Sequence, residues 1–222
     1  MYLPGTFATA LLLTILSAIF WGSWANTYKG TKHYAFEHFY WDYILGVVLC
    51  SWVFALTLGS HGSAGEPFLA NLESADASNI GHALIAGAIF NVANLLLVAA
   101  VDIAGLAVAF PIAIGIAVVE GVVLSYVLQP KGSIVFLAFG MAFAIAAVLF
   151  DARAYKALRA TTTATRKGIL VSVLSGILMG AFAPFVTRAM THGHTLTPYG
   201  VAALFSIGAF LCCFTDQFGK SG

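Results

Sequence analysis

The chain has 222 residues, 60% of them hydrophobic and 9% charged, with a mean hydropathy of +0.94. That composition excludes a soluble domain and defines an all-α polytopic membrane protein. Apolar runs of about 18–24 residues without a two-residue period exclude a transmembrane barrel. A net charge of +1, with no basic face interleaved with aromatics, gives nucleic acid no place as a partner.

Seven spans follow in order, at residues 6–27, 39–59, 80–101, 105–128, 132–150, 168–188 and 198–215. The first is preceded by no Lys or Arg and runs into bulky aromatics, so it does not read as a cleaved signal. On it Thr14, Ser17, Trp21, Trp24 and Tyr28 recur at steps of three, four, three and four and share one helical face. Hydroxyls, indole N–H groups and flat rings there equip a site for a small polar molecule. Each residue taken singly reads equally as glue between helices.

The second span opens on Asp42 and Tyr43, where a carboxylate can cap a helix N-terminus or pair with Lys29 or Lys32. A gate is the alternative role. In the third span Asn91, Asn94 and Asp102 line up through Val98 as a second polar stripe. A carboxamide offers two donors and an acceptor to a hydroxyl-rich or ureido solute, and interhelical hydrogen bonding is its alternative use.

The fourth span carries Pro111, which removes a backbone hydrogen bond and kinks the helix, and Gly115 one turn later, which lets a neighbour or solute approach. Glu120 lies about 180° around the helix from Pro111. An intramembrane carboxylate must be protonated, partnered or wet, which makes it a proton-coupling candidate. In the sixth span Gly176 and Gly180 form a small-xxx-small pair that reads as helix packing. Cys50, Cys212 and Cys213 all sit in apolar runs as packing residues, and His192 with His194 makes no metal site by itself.

Charge orients the spans. Residues 60–79 hold Glu66, Glu73 and Asp76 without a Lys or Arg, whereas residues 151–167 hold Arg153, Lys156, Arg159, Arg166 and Lys167. The positive-inside rule makes the basic segment cytoplasmic and the N-terminus external, in the cell (inner) membrane. Eight of the ten Lys and Arg residues then fall inside.

The sixth span also repeats the first. A shift of 158 positions sets residues 12–25 on residues 170–183, with Leu16, Ser17, Ile19, Gly22 and Ala25 matched identically. Five spans separate the copies, so the repeat is inverted, as in secondary transporters whose site lies between repeats. Residues 1–150 are the first five-helix repeat, 151–167 a basic cytoplasmic linker, and 168–222 the first two helices of a second. Such a repeat calls for three further spans, so the chain reads as a fragment of a ten-helix (5+5) fold. Assembly as a homo-oligomer is the alternative.

The segments FWGSWANTYKG, FYWDYILG, NVANLLLVAAVDIAGLAVAFPIAIGIA and LSYVLQPKG resemble the glucose/ribose porter family of sugar transporters and the ureide permeases, both of the drug/metabolite transporter superfamily. The resemblance implies ten helices in two inverted halves, an external N-terminus and a basic cytoplasmic loop. It also sets Asp42-Tyr43 on the Asp-Tyr of the related permeases, and Asn94 on their Gly-Asn-Leu segment. The central loop here is short and lacks the nucleotide-binding-like motif of ureide permeases, so an ATP-driven reading has no support.

No Ser/His/Asp or Cys/His set and no phosphate-binding loop is present in the sequence, so no enzyme is expected. The expectation is a secondary transporter in the lipid bilayer, moving a small neutral polar solute by alternating access. A sugar ranks first and a ureide or nucleobase-like compound second. The site falls between the first, third and sixth spans, with Trp21, Trp24, Tyr28, Asn91 and Asn94 on the solute and Asp42, Tyr43 and Glu120 at a gate or coupling ion. No cofactor is expected, and a proton or sodium ion is the candidate for coupling. The alternatives are a lipophilic-cation exporter, for which Glu120 would have to face the cavity, and a non-transporting membrane fragment.

Overall fold

The computed structural model describes residues 1–30, 34–158 and 165–217. Among them the chain is helical throughout: α1 (Phe7–Gly30), α2 (Phe36–Leu56), the seven-residue α3 (Phe68–Ser74), α4 (Ala77–Ala104), α5 (Leu106–Leu128), α6 (Ile134–Leu158), α7 (Arg166–Ala189) and α8 (Pro198–Gln217). The long helices coincide with the apolar runs because burying backbone polar groups in hydrocarbon leaves a helix as the way to satisfy them within one segment. Five of them are long and apolar enough to cross a membrane: Glu37–Leu56, Ala77–Ala104, Leu106–Leu128, Ile134–Ala154 and Arg166–Ala189. The apolar parts of the remaining two, Phe7–Ser23 and Pro198–Cys213, are shorter.

Successive long helices alternate in direction. The Met1 ammonium donates to the Ala64 carbonyl at 2.6 Å, the Tyr2 amide to Leu58 at 2.7 Å, and the Tyr199 hydroxyl to the Tyr2 carbonyl at 3.0 Å. These contacts gather the end of α2, the start of α8 and the N-terminus at one end of the bundle, here termed the Met1 end. At the opposite end a single residue, Gly105, joins α4 to α5. Its φ of 77° and ψ of 156° lie where a side chain costs about 1–3 kcal/mol.

The bundle is built around α4, which packs on α5, α7 and α8. In turn α7 bridges α4 and α5, α2 lies on α8, and α6 rests on α5. Helices in a bilayer gain little from hydrophobic burial against one another, so close approach of backbones has to hold them. The seams are accordingly made of small residues. A Cβ on Gly87 would fall on the Phe205 carbonyl, one on Gly208 on the Leu84 carbonyl, and one on Gly168 on Ala104. Ala83, Ala86, Ala93, Ala100 and Ala104 are the buried alanines of α4.

At the Met1 end, two buried asparagines grip the loop between α7 and α8. The Asn71 carboxamide donates to the Thr195 carbonyl at 2.9 Å and accepts from the Thr197 amide at 2.7 Å. Asn79 donates to the carbonyls of His192 at 2.7 Å and His194 at 3.0 Å. Asp76 precedes α4 but makes no side-chain cap; its carboxylate accepts from the His194 amide at 2.9 Å.

Candidate functional site

The third-span stripe forms the buried polar centre of the bundle. Asn91 is 0% and Asn94 6% exposed, and Tyr40 of α2, 4% exposed, stands between them. The Tyr40 hydroxyl donates to Asn91 Oδ1 at 2.6 Å and accepts from Asn94 Nδ2 at 3.0 Å. Asn91 Nδ2 donates in turn to Cys213 Sγ of α8 at 3.4 Å. The Asn94 oxygen, by contrast, takes no hydrogen bond among the described residues, so this carboxamide keeps acceptor capacity. On the α7 side, Ser175 Oγ donates to the Ala93 carbonyl at 2.8 Å.

An aromatic wall stands beside this centre. Phe90 of α4 meets Phe182 of α7 at 5.4 Å and Phe205 of α8 at 5.3 Å between ring centroids. Trp21 meets Phe90 edge-on at 5.4 Å, with the indole itself 57% exposed. Along α1, Leu13, Thr14, Ser17, Ala18, Trp21 and Gly22 lie on one open face. Three members of the first-span stripe therefore share one open face, although the Thr14 hydroxyl is turned back to the Ala10 carbonyl at 2.9 Å. The side chains of Trp24 and Tyr28, the other two members, lie outside the described residues.

The two stripes thus meet through Phe90 and not face to face. Asn91 and Asn94 turn toward α2 and α8, the second and seventh of the expected spans, while Ser175 and Phe182 keep the sixth span beside them. Asp102, the far end of the third-span stripe, is exposed. Tyr40 and Phe90, which the sequence reading did not single out, complete the centre together with Cys213, which it read as a packing residue. Phe90-Asn91 was the available signal, an aromatic set next to a carboxamide within an apolar helix.

The remaining candidates separate. Asp42 does not cap α2, because the helix begins at Phe36 with Ala35 as its N-cap and places Asp42 in the second turn. No proline or glycine interrupts residues 34–42, so nothing stops the helix from starting early. Asp42 accepts a hydrogen bond from the Tyr34 hydroxyl. That bond, with the carboxylate's charge, holds the Tyr34 phenol above its ordinary range. The side chain of Lys29 and all of Lys32 lie outside the described residues. Tyr43 packs beside Tyr40, ring centroids 5.8 Å apart.

Pro111 lies inside α5, which continues through it, and Gly115 has open space where a Cβ would stand. Glu120 is half-buried against α7, where a Cβ on Gly180 would lie 2.8 Å from the Glu120 Cβ. Its contact is the packed helix α7 and not α1.

The chain is similar to Ureide permease 1 of Arabidopsis thaliana, 28% identical over 159 residues. The matched stretch is 70% of this chain and 41% of the permease, so the chain spans less than half the length of that relative. No protein-family model matches, and no solved structure matches. The apolar helices and this relative support an integral membrane protein.

Proposed function

We propose that the chain is a secondary transporter of a small neutral polar solute, working by alternating access in the lipid bilayer. The observation that carries this reading is the Tyr40/Asn91/Asn94 centre set beside the Trp21/Phe90 wall. Buried carboxamides are costly in a membrane and concentrate on solute pathways. The spare acceptor on Asn94 suits an N–H-rich solute, and the relative is a ureide permease by name, so a ureide now ranks ahead of a sugar. A sugar remains the second reading because the exposed Trp21 ring suits the apolar face of a pyranose. Glu120 against Gly180 counts against a lipophilic-cation exporter, which would want that carboxylate in the cavity.

Stabilisation by ligand tests the solute class. A solute at a hundred times its Kd adds about 2.7 kcal/mol to a protein that binds it only when folded. Allantoin is expected to raise the melting temperature of the purified protein, glucose to raise it less and tetraphenylphosphonium not at all. A rise with the cation alone, or with none of the three, overturns the reading.

The Met1 end is assigned to the outside by the acidic 60–79 and basic 151–167 segments. A cysteine at Ser74 is therefore expected to react with a membrane-impermeant maleimide in intact cells, and one at Thr162 only after the cells are opened. The reverse pattern defeats the assignment.

A further inference from the structure

Three rings from three helices close on one another in the middle of the bundle. Phe90 of α4 stands 5.4 Å from Phe182 of α7 and 5.3 Å from Phe205 of α8, and Phe182 stands 5.8 Å from Phe205, between ring centroids. Contacts of this kind are favourable beyond the area they bury. The rings therefore form a closed triangle, with Trp21 of α1 against its Phe90 corner.

The triangle lies between the polar centre and the Met1 end. α7 runs toward that end, since Gly168 at its start meets Ala104 at the other. Phe182 lies about two turns beyond Ser175, which bonds the Ala93 carbonyl. α8 runs the opposite way, with Tyr199 bonded to Tyr2 at its start. Phe205 lies about two turns before Cys213, which takes the Asn91 amide. On α4, Phe90 comes just before Asn91 and Asn94, so all three rings stand on the same side of the carboxamides.

The corners are not held alike. Phe205 is fixed to α4, because a Cβ on Gly87 would fall on the Phe205 carbonyl and one on Gly208 on the Leu84 carbonyl. Phe90 is buried on the helix around which the bundle is built. Phe182, by contrast, sits on a weakened turn. Pro184 lies inside α7, and a proline gives no amide to the carbonyl four residues before it, here that of Gly180. Beyond that turn the hairpin between α7 and α8 is bonded to Asn71, Asp76 and Asn79. The stretch between Gly180 and Pro184 is therefore where α7 can bend.

We infer that this triangle is the gate between the polar centre and the Met1 side, with Phe182 its moving leaf against a fixed Phe90–Phe205 pair. What passes the gate rests on the transport reading above; the barrier itself is measured without any solute. A polar molecule bound for Asn94 from that side has to part the rings.

Labelling of Cys213, buried beyond the triangle at 5% exposure, tests it. The whole protein is expressed with Cys212→Ser, and a membrane-impermeant methanethiosulfonate is applied from the side on which a cysteine at Ser74 reacts, to intact cells or inside-out vesicles. Mass spectrometry times modification of the Cys213 peptide, apart from that of Cys50. Labelling of a buried thiol follows the population of the open form, so the parent is expected to label slowly, Phe182→Ala about tenfold faster, and Pro184→Ala, which returns the missing amide, about threefold slower. Phe185→Ala removes a ring that pairs with His82 outside the triangle and is expected to label as the parent does. Phe182→Leu, expected to fall between parent and alanine variant, serves if the alanine variant does not reach the membrane. Fast labelling in the parent, no gain in either Phe182 variant, or an equal gain in Phe185→Ala overturns the gate. A Pro184→Ala rate at or above the parent's overturns the moving leaf. Failure of the solute reading shows elsewhere, as no stabilisation by allantoin or glucose while these rates stand.

Discussion

Asn94→Ala is expected to lower solute uptake at least tenfold, about 1.4 kcal/mol, while the protein still reaches the membrane at its normal level. The two effects separate because Asn94 gives its described neighbours little. It donates one bond to Tyr40, and the Tyr40 hydroxyl keeps its bond to Asn91 when Asn94 is gone. Hydrogen bonds between membrane helices are worth only about 0.6 kcal/mol on average, so the fold survives. What alanine removes is an acceptor with spare capacity and a second amide proton, the groups that a polar solute would use. Uptake into proteoliposomes, of whichever solute raises the melting temperature, is the measurement, with Trp21→Ala as the companion variant. Normal uptake by both variants would remove the site.

The second large effect is on folding. Gly176→Leu is expected to leave almost no folded protein in the membrane, read as loss of the monodisperse peak in detergent. The first added carbon alone would stand 2.7 Å from the Ala113 carbonyl oxygen and 2.9 Å from the Ile116 Cβ. Overpacking a tight seam costs about 1–3 kcal/mol, occasionally more, and here one of the obstructing atoms is backbone that cannot swing aside. Gly115→Leu, on the same pair of helices but with open space at its Cβ position, is the matched control and is expected to fold. A Gly176→Leu protein as monodisperse as the parent would show that α5 and α7 are not held by this contact.

Much of this architecture could be read from residue order, and the reason is the solvent. A bilayer fixes the length of an apolar helix, so long apolar runs locate helices. Helical spacing fixes which residues share a face, and so it set Asn91 with Asn94, and Gly176 with Gly180, before any partner was visible. The partners themselves were not legible. Tyr40 and Cys213 are 51 and 122 residues from Asn91, and no local pattern marks which aromatic or thiol will cross that distance. The capping use of Asp42 fell away for a local reason, since the helix starts three residues earlier than expected and leaves the carboxylate inside the second turn. Asn71 and Asn79 carried no signal in the sequence, because their partners are backbone carbonyls and an amide, which any residue supplies.

Those two asparagines also hold one rim of the bundle shut. Together with Asp76 they bolt the hairpin between α7 and α8 to α3 and the base of α4 through bonds to main-chain groups of residues 192–197. Buried donors and acceptors torn from such a latch cost about 1–3 kcal/mol each, so prising the helices apart at this rim is uphill several times over. The helices are therefore clamped together at the Met1 rim, so any parting of α7 and α8 there has to break bonds to main-chain groups and not merely slide apolar faces.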